Sequence, residues 1–140
     1  MNRLVITLAA VLIATFAAAQ ERSAPAPNAE VYFISPQNGA KVHGPVTVRF
    51  GLKGMGVAPA GVKFDNTGHH HILIDTNLSE VKLDAPLPAT DKIVHFGKGQ
   101  TETALTLPPG KHTLELVFAD YVHMNFDPPL HSQKITITVE

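Results

Sequence analysis

From residue 31 onward the chain is a series of short runs in which apolar and polar residues alternate, separated by clusters of turn-forming residues. Val46–Leu52 and Thr101–Leu107 are clear examples of such runs. Asn38-Gly39 and Pro108-Pro109-Gly110 are typical of the turns between antiparallel strands. A period of two residues indicates half-buried strands, and no stretch has the apolar spacing of a long amphipathic helix. The 11 prolines and 10 glycines also argue against a helical bundle, so the sequence predicts an all-β domain.

About seven strands are expected over residues 31–140. They are Val31–Ile34, Val46–Leu52, His70–Asp75, Ile93–Phe96, Thr101–Leu107, His112–Ala119 and Lys134–Glu140. The longer connections at 54–68, 76–91 and 120–132 are predicted as loops. Seven short antiparallel strands suit an immunoglobulin-like β-sandwich. The cysteine pair and tryptophan of antibody domains are absent, so this prediction rests on the number and spacing of the strands.

The first 19 residues have the three parts of an export signal. Arg3 is a positive start, Leu4–Phe16 is an apolar stretch, and Ala17–Ala19 is a cleavage site before Gln20. The whole apolar run spans 16 residues, whereas a membrane span needs about 20. We therefore predict a signal peptide at residues 1–19, a flexible linker at 20–30 and a domain at 31–140. The mature chain is expected in the periplasm or secreted, with no membrane span.

Charge and composition exclude several classes of function. The net charge is −1 and no basic cluster is present, which argues against nucleic-acid binding. The absence of cysteine excludes disulfides, thiolate metal sites and cysteine nucleophiles. The chain contains no nucleophile elbow, no phosphate-binding loop and no His-Glu-x-x-His motif. No catalytic residue is assigned, and the sequence leans against an enzyme.

The most distinctive motif is Gly68-His69-His70-His71, at the start of the third predicted strand. Because successive side chains of a strand point to opposite faces, His69, His71 and Asp75 are expected on one face. His70 is expected on the other face, in the core and hydrogen-bonded. Two imidazoles on one face come within reach of one metal ion, and imidazole suits copper and zinc. The alternative is that these histidines only solvate an outer face.

A metal site needs further ligands, and the sequence offers candidates elsewhere. His95 points outward if its two neighbours are in the core, on a strand expected beside the histidine strand. His123 lies before the last strand, and an immunoglobulin-like sandwich brings that loop to the same end as the start of the histidine strand. Asp120 is expected to ligate the ion or to orient a histidine through its second nitrogen. The predicted metal residues are His69, His71, His95, His123 and Asp120.

Other residues are weaker candidates for this site. Met55 and Met124 lie in loops at the same end, and their sulfur would favour Cu(I), although methionine commonly serves as apolar filler. His131 is near the same end but resembles the start of a strand. His43 and His112 precede strands at the opposite end and are assigned no part.

Several motifs of the chain occur together, in the same order, in one known family. They are Gly54-Met55-Gly56-Val57, Gly68-His69-His70-His71, His95-Phe96-Gly97-Lys98-Gly99 and Leu107-Pro108-Pro109-Gly110. On these motifs the sequence resembles the DUF4399 family of bacterial exported proteins, over nearly all of residues 31–140. The resemblance implies a small all-β domain that is usually secreted, and it implies no activity.

These observations favour an exported binding module that holds a copper or zinc ion in a histidine-rich site. A second hypothesis is a cell-envelope domain whose loops recognise a protein or a glycan and whose histidines are structural. A metal-dependent redox enzyme is a third, because an open centre with three histidine ligands permits some chemistry. The chain is expected to be a monomer that binds a metal ion or an envelope protein and no nucleic acid.

Overall fold

Ten strands and one 3-10 turn, Leu78–Glu80, form the regular structure of residues 21–140, the part of the chain that the computed structural model describes. The strands are β1 (Glu30–Ser35), β2 (Lys41–Val42), β3 (Val46–Lys53), β4 (Gly56–Val57), β5 (Thr67–Ile74), β6 (Ile93–His95), β7 (Glu102–Leu105), β8 (Gly110–Ala119), β9 (Asn125–His131) and β10 (Ile135–Val139). The all-β prediction is confirmed. The predicted signal peptide lies outside the described residues. Among residues 21–140, no helix is long and apolar enough to cross a membrane.

The strands form two sheets with an immunoglobulin-like order. One sheet has the order β1-β3-β7. The other has the order β2-β10-β8-β5-β4, with β6 also paired to β5 and β9 also paired to β8. If β1, β3 and β7 are equated with strands A, B and E of that fold, then β5, β6, β8 and β10 take the places of C, C′, F and G. All seven predicted strands are present, and the sandwich is confirmed.

The main core lies between the two sheets and is built from the inward-facing residues of their strands. Its most deeply buried members include Val48, Ile72, Leu116, Phe118 and Ile137. Burial of each large apolar side chain is worth about 1.5–3 kcal/mol relative to exposure. This packing holds β5 beside β8 in the antiparallel register that pairs His69 with Ala119.

A second, smaller apolar cluster covers the outer face of β5 and β8. It joins these strands to β6 and to the connection at residues 75–92, and its buried members are Leu73, Leu87, Ile93, Val117 and Ala119. The connection therefore lies over the sheet, and every residue from 68 to 74 is buried. The alternative in which the histidines of β5 only solvate an outer face is wrong, because all three of their side chains are buried.

The predicted loop at residues 120–132 is shorter than expected, because most of it is strand β9. Pro128 and Pro129 favoured a loop, since proline cannot donate to a sheet. In the structure Asn125 pairs with Ala119 and Leu130 pairs with Phe118, and the register shifts between these two pairs. The two prolines lie in the resulting bulge, where no ladder hydrogen bond is required of them. Only residues 120–124 form the loop between β8 and β9.

Part of the predicted flexible linker is fastened to β9. The guanidinium of Arg22 donates hydrogen bonds to the carbonyl oxygens of Asn125, at 3.2 Å, and of Phe126. The carbonyl oxygen of Ser23 accepts a hydrogen bond from the backbone N–H of Asp127 at 2.8 Å. These contacts hold the chain near residue 22 against the strand that follows the 120–124 loop.

His112 and Asp75 form a hydrogen-bonded pair at the opposite end of β5. Asp75 was expected on the face of His69, but β5 ends at Ile74 and Asp75 has a φ of 52°, which ends the alternation. Its carboxylate accepts hydrogen bonds from Nδ1 of His112 at 2.7 Å and from the backbone N–H of Thr113 at 2.9 Å. Nε2 of His112 donates to the carbonyl of Pro108 at 2.8 Å. Both ring nitrogens therefore act as donors, which favours the charged imidazolium.

This pair is expected to make stability depend on pH. The hydrogen bond to Asp75 raises the pKa of His112 despite burial, and the hydrogen bonds from His112 and Thr113 lower the pKa of Asp75 although burial raises it. The His112 contribution is full below its unfolded pKa of about 6.5 and is lost as pH rises through the raised pKa. The Asp75 contribution is full above about pH 3.9 and is lost as pH falls through the lowered pKa.

Asp75→Asn is therefore expected to destabilise the domain most between about pH 4 and 6.5, by about 1 kcal/mol, because the carboxylate is half exposed. Urea denaturation of both proteins at about pH 5.5 and about pH 8.5 measures this difference. An equal loss at both pH values would contradict the ionic character of the pair.

Candidate metal centre

Strand β5 carries three consecutive histidines, and all three side chains are 0% exposed. The His70 ring lies in the main core, with its centroid 5.0 Å from the ring centroids of Phe50 and Phe118. His69 and His71 lie together, with ring centroids 4.8 Å apart. The predicted division of the motif between two faces is confirmed. The hydrogen bond expected for His70 is not made, because neither of its ring nitrogens has a partner among the described residues.

His95 joins His69 and His71 from the neighbouring strand. In β6 it pairs directly with His71, and its ring centroid lies 5.0 Å from that of His69 and 5.1 Å from that of His71. Gly97 makes this position available, because a Cβ atom on residue 97 would overlap the His95 imidazole. The predicted outward orientation of His95 therefore depends on a glycine two residues later.

His123 reaches the cluster from the short loop between β8 and β9. Oδ1 of Asp120 accepts hydrogen bonds from the backbone N–H groups of Val122 and Met124, at 2.9 and 2.8 Å. His123 has a φ of 68°, in the left-handed region that few residues other than glycine adopt. The backbone N–H of Leu87 donates to its carbonyl oxygen at 2.9 Å, which ties the loop to the 75–92 connection.

Asp120 acts on the cluster through the backbone. Besides the two bonds to its side chain, its carbonyl oxygen accepts the backbone N–H of His123 at 3.0 Å. No hydrogen bond joins its carboxylate to an imidazole within residues 21–140. Asp120 therefore shapes the turn that presents His123, instead of holding a ring nitrogen directly as expected.

The imidazoles of His69, His95 and His123 form a nearly equilateral triangle. Their ring centroids are 5.0, 4.9 and 4.7 Å apart. One nitrogen of each ring lies within 4.8 Å of the others, and Nε2 of His95 is 3.1 Å from Nε2 of His123. Two nitrogens bound to one zinc ion at about 2.0–2.1 Å would lie about 3.3 Å apart in a tetrahedral site and about 2.9 Å apart at a right angle. This histidine triad can therefore hold a metal ion.

His71 lies beside the histidine triad and outside this closest group. Its ring centroid is 4.8 Å from that of His69 and 5.1 Å from that of His95, but 6.0 Å from that of His123. Four of the five residues predicted for the site are thus brought together as imidazoles, and the fifth, Asp120, supports one of them.

Hydrogen bonding within the cluster is incomplete in a way that is rare in protein interiors. Both ring nitrogens of His69 and of His71 are buried without a hydrogen-bond partner among the described residues. Buried polar atoms nearly always have a partner, and leaving one unsatisfied costs about 1–3 kcal/mol. A bound metal ion would satisfy one nitrogen on each ring that it contacts.

The cluster also keeps its imidazoles in the form that binds metal. Burial, together with the neighbouring imidazoles, lowers the pKa of His69 to about 4 and that of His71 to about 2. Burial and His123 likewise lower the pKa of His95. Metal ligation requires neutral imidazole. These rings are therefore neutral and competent as ligands at neutral pH.

The remaining candidates have other partners or positions. His131 donates a hydrogen bond to Glu115 at 2.8 Å, Met55 packs against the main core, and Met124 is buried. Sequence reasoning missed Gly97 and Leu87. Gly97 had a signal, because it belongs to the His-Phe-Gly motif, whereas no pattern in the sequence distinguishes Leu87 from any other loop leucine.

Comparison with known proteins places the chain in a family without an assigned activity. Residues 48–140 match the family described as "Domain of unknown function (DUF4399)". This stretch runs from within β3 to the last residue and includes all four histidines of the cluster. Neither a curated protein nor a solved structure matches the chain. The match covers well over half of the chain, which therefore belongs to the DUF4399 family.

Proposed function

We propose that this domain is a binding module that holds one copper or zinc ion between His69, His95 and His123. The observation that carries the proposal is that three imidazoles from three separate chain segments converge, while the buried ring nitrogens of His69 have no other partner in the described part of the chain. Convergence distinguishes these residues from His70, whose ring nitrogens also lack a partner within residues 21–140 but whose ring lies beside Phe50 and Phe118 in the main core.

The ligand chemistry selects the class of metal. All the converging donors are imidazole nitrogens, which suit copper and zinc. Calcium and magnesium prefer shells of oxygen ligands. The chain has no cysteine, so no thiolate competes for the ion. We assign His71 a supporting place beside the triad, because its ring is the one farthest from His123.

The predicted export of the chain determines where it would meet the ion. Residues 1–19 have the pattern of a cleaved signal peptide, so the module would meet its ion in the periplasm or outside the cell. Copper and zinc would then be bound by a chain that begins near Gln20.

Native mass spectrometry of the chain from Gln20 to Glu140 tests this function. With Cu(II) or Zn(II) added, we expect one ion retained per chain. The same result is expected for His43→Ala, because the His43 side chain is exposed and lies beside Glu140, outside the histidine cluster. A wild-type chain that retains neither ion would overturn the proposal and favour the interaction domain.

Gly97→Ala is expected to weaken metal binding without unfolding the domain. The added methyl group would overlap the His95 ring, which is partly exposed and can turn away. Displacing a ligand in this way should lower affinity about tenfold, as changes around metal ligands commonly do. Gly44→Ala is the matched control, because its Cβ would only touch Val139 at 3.9 Å. Competition against a coloured chelator measures both, and an unchanged affinity in Gly97→Ala would count against His95 as a ligand.

A further inference from the structure

Asn125 is the one buried side chain outside β5 whose polar atoms all lack hydrogen-bond partners among the described residues. It is the first residue of β9 and is 1% exposed. Neither Oδ1 nor Nδ2 has a partner. An amide that could make several hydrogen bonds and makes none in a buried position indicates a missing ligand.

The sheet places Asn125 on the same face as His69. Residue 119 pairs with His69 on one side and with Asn125 on the other, so the three residues form one row across β5, β8 and β9. Residues directly opposite in antiparallel strands share a face. The next residue, Phe126, lies in the main core and stacks on Phe118 with ring centroids 6.3 Å apart, which confirms that Asn125 points outward.

The residue between them is small. With strands about 4.8 Å apart, the backbones of His69 and Asn125 are about 10 Å apart. Only the methyl group of Ala119 lies between them in this row. Ala119 is itself fully buried, so a ligand that bridges His69 and Asn125 must be as small as a water molecule or a small anion.

We propose that the metal-loaded domain binds a small exchangeable ligand above Ala119, attached to the ion through one atom and hydrogen-bonded to the Asn125 amide. This inference rests on the proposed function. Three protein ligands leave a copper or zinc ion at least one further coordination position. Water or hydroxide is the resident ligand, and small anions exchange with it. The amide suits either, because it offers both a donor and an acceptor.

His71 is the other buried side chain beside the triad that could reach the ion. It lies in the neighbouring row, where it pairs with His95 on one side and with Val117 on the other. Its ring centroid is 6.0 Å from that of His123. Asn125 lies in the row of His69 and Ala119, so His71 and Asn125 belong to different rows of the sheet and do not compete for the same space. An open position of this kind distinguishes a centre that binds a small molecule from a closed structural site.

Azide binding to the Cu(II)-loaded chain tests the inference, because azide bound to Cu(II) gives a charge-transfer absorption band. The wild-type protein is expected to develop this band on titration. Asn125→Leu keeps the size of the side chain and removes its hydrogen bonds, so azide affinity should fall about tenfold while copper is retained. Ala119→Val fills the space and should abolish the band. Ala104→Val, the same change at an exposed position of the other sheet, should bind azide like the wild type.

The outcomes separate the two proposals. A wild-type protein that binds copper but gives no azide band would overturn the open position and leave the metal module standing. Equal azide affinity in Asn125→Leu and the wild type would overturn the role of Asn125. Failure of the wild type to bind copper at all would overturn the proposed function itself. Circular dichroism of each variant verifies that it is folded before its titration is compared.

Discussion

Replacing His69 with alanine is expected to lower the affinity of the domain for Cu(II) or Zn(II) by about a hundredfold or more. Zinc sites with four ligands bind with about 10–16 kcal/mol, which is roughly 3 kcal/mol per ligand, or about a hundredfold in affinity. His69 is the central member of the cluster, with ring centroids of the other three outer-face histidines 4.8–5.0 Å away. Competition with a coloured chelator of known affinity measures the loss.

Two further variants test whether a loss of metal affinity is caused by the loss of a ligand. His123→Asn removes an imidazole but keeps a residue that tolerates the left-handed φ of 68°, so a similar loss there would report ligation and not a distorted loop. His112→Ala removes a histidine that is bonded to Asp75 at the other end of β5, and it should leave metal affinity unchanged. An unchanged affinity in both His69→Ala and His123→Asn would show that the ion binds elsewhere.

The metal-free domain is expected to unfold in mild acid, which is the second large effect. Burial lowers the pKa of His69 and His70 to about 4 and that of His71 to about 2. In the unfolded chain all three titrate near 6.5, so between about pH 6.5 and 4 the unfolded state binds more protons. The contribution of these three histidines to stability is therefore full above about pH 6.5. It is lost as pH falls, by about 1.4 kcal/mol per pH unit for each histidine, or about 4 kcal/mol per pH unit for all three.

A loss of this size matches the whole stability of a small domain, about 5–15 kcal/mol, within about two to three pH units. Urea denaturation followed by circular dichroism, in the presence of a chelator, measures it as a function of pH. His70→Leu is the informative control: it replaces an unpartnered core imidazole by an apolar side chain of similar size. This variant should be at least as stable as the wild type near neutral pH. The dependence of its unfolding free energy on pH should be smaller by about 1.4 kcal/mol per pH unit. A wild-type slope near zero would contradict the burial of neutral imidazoles.

The features that could be predicted from the sequence are those with a local period. Alternation placed all seven main strands and divided His69 and His71 from His70, because strand parity needs no knowledge of distant residues. His95 followed from the same rule once β6 was placed beside β5. The limits of β9 could not be predicted in this way, because proline is compatible with a strand only at a bulge whose partner lies elsewhere in the chain.

The rest of the site depends on contacts between distant segments. The approach of His123 requires a left-handed backbone at a non-glycine residue and a hydrogen bond from Leu87, 36 positions earlier in the chain. The burial of His69 and His71 requires the 75–92 connection to fold over the outer face of the sheet, and no pattern in the sequence of that connection predicts this. Asp120 was predicted to ligate the ion or to orient a histidine, but its carboxylate accepts hydrogen bonds from backbone groups, which no side-chain pattern predicts.

X-ray absorption spectroscopy of the zinc-loaded chain tests the central claim most directly, because it reports the atoms around the ion. We expect a first shell of nitrogen and oxygen at about 2.0–2.1 Å, with the outer-shell scattering of three or more imidazoles. In His69→Ala the imidazole contribution should fall by one ring or be lost with the ion. A zinc ion surrounded by oxygen ligands, with scattering from no more than one imidazole, would contradict a metal centre built from His69, His95 and His123.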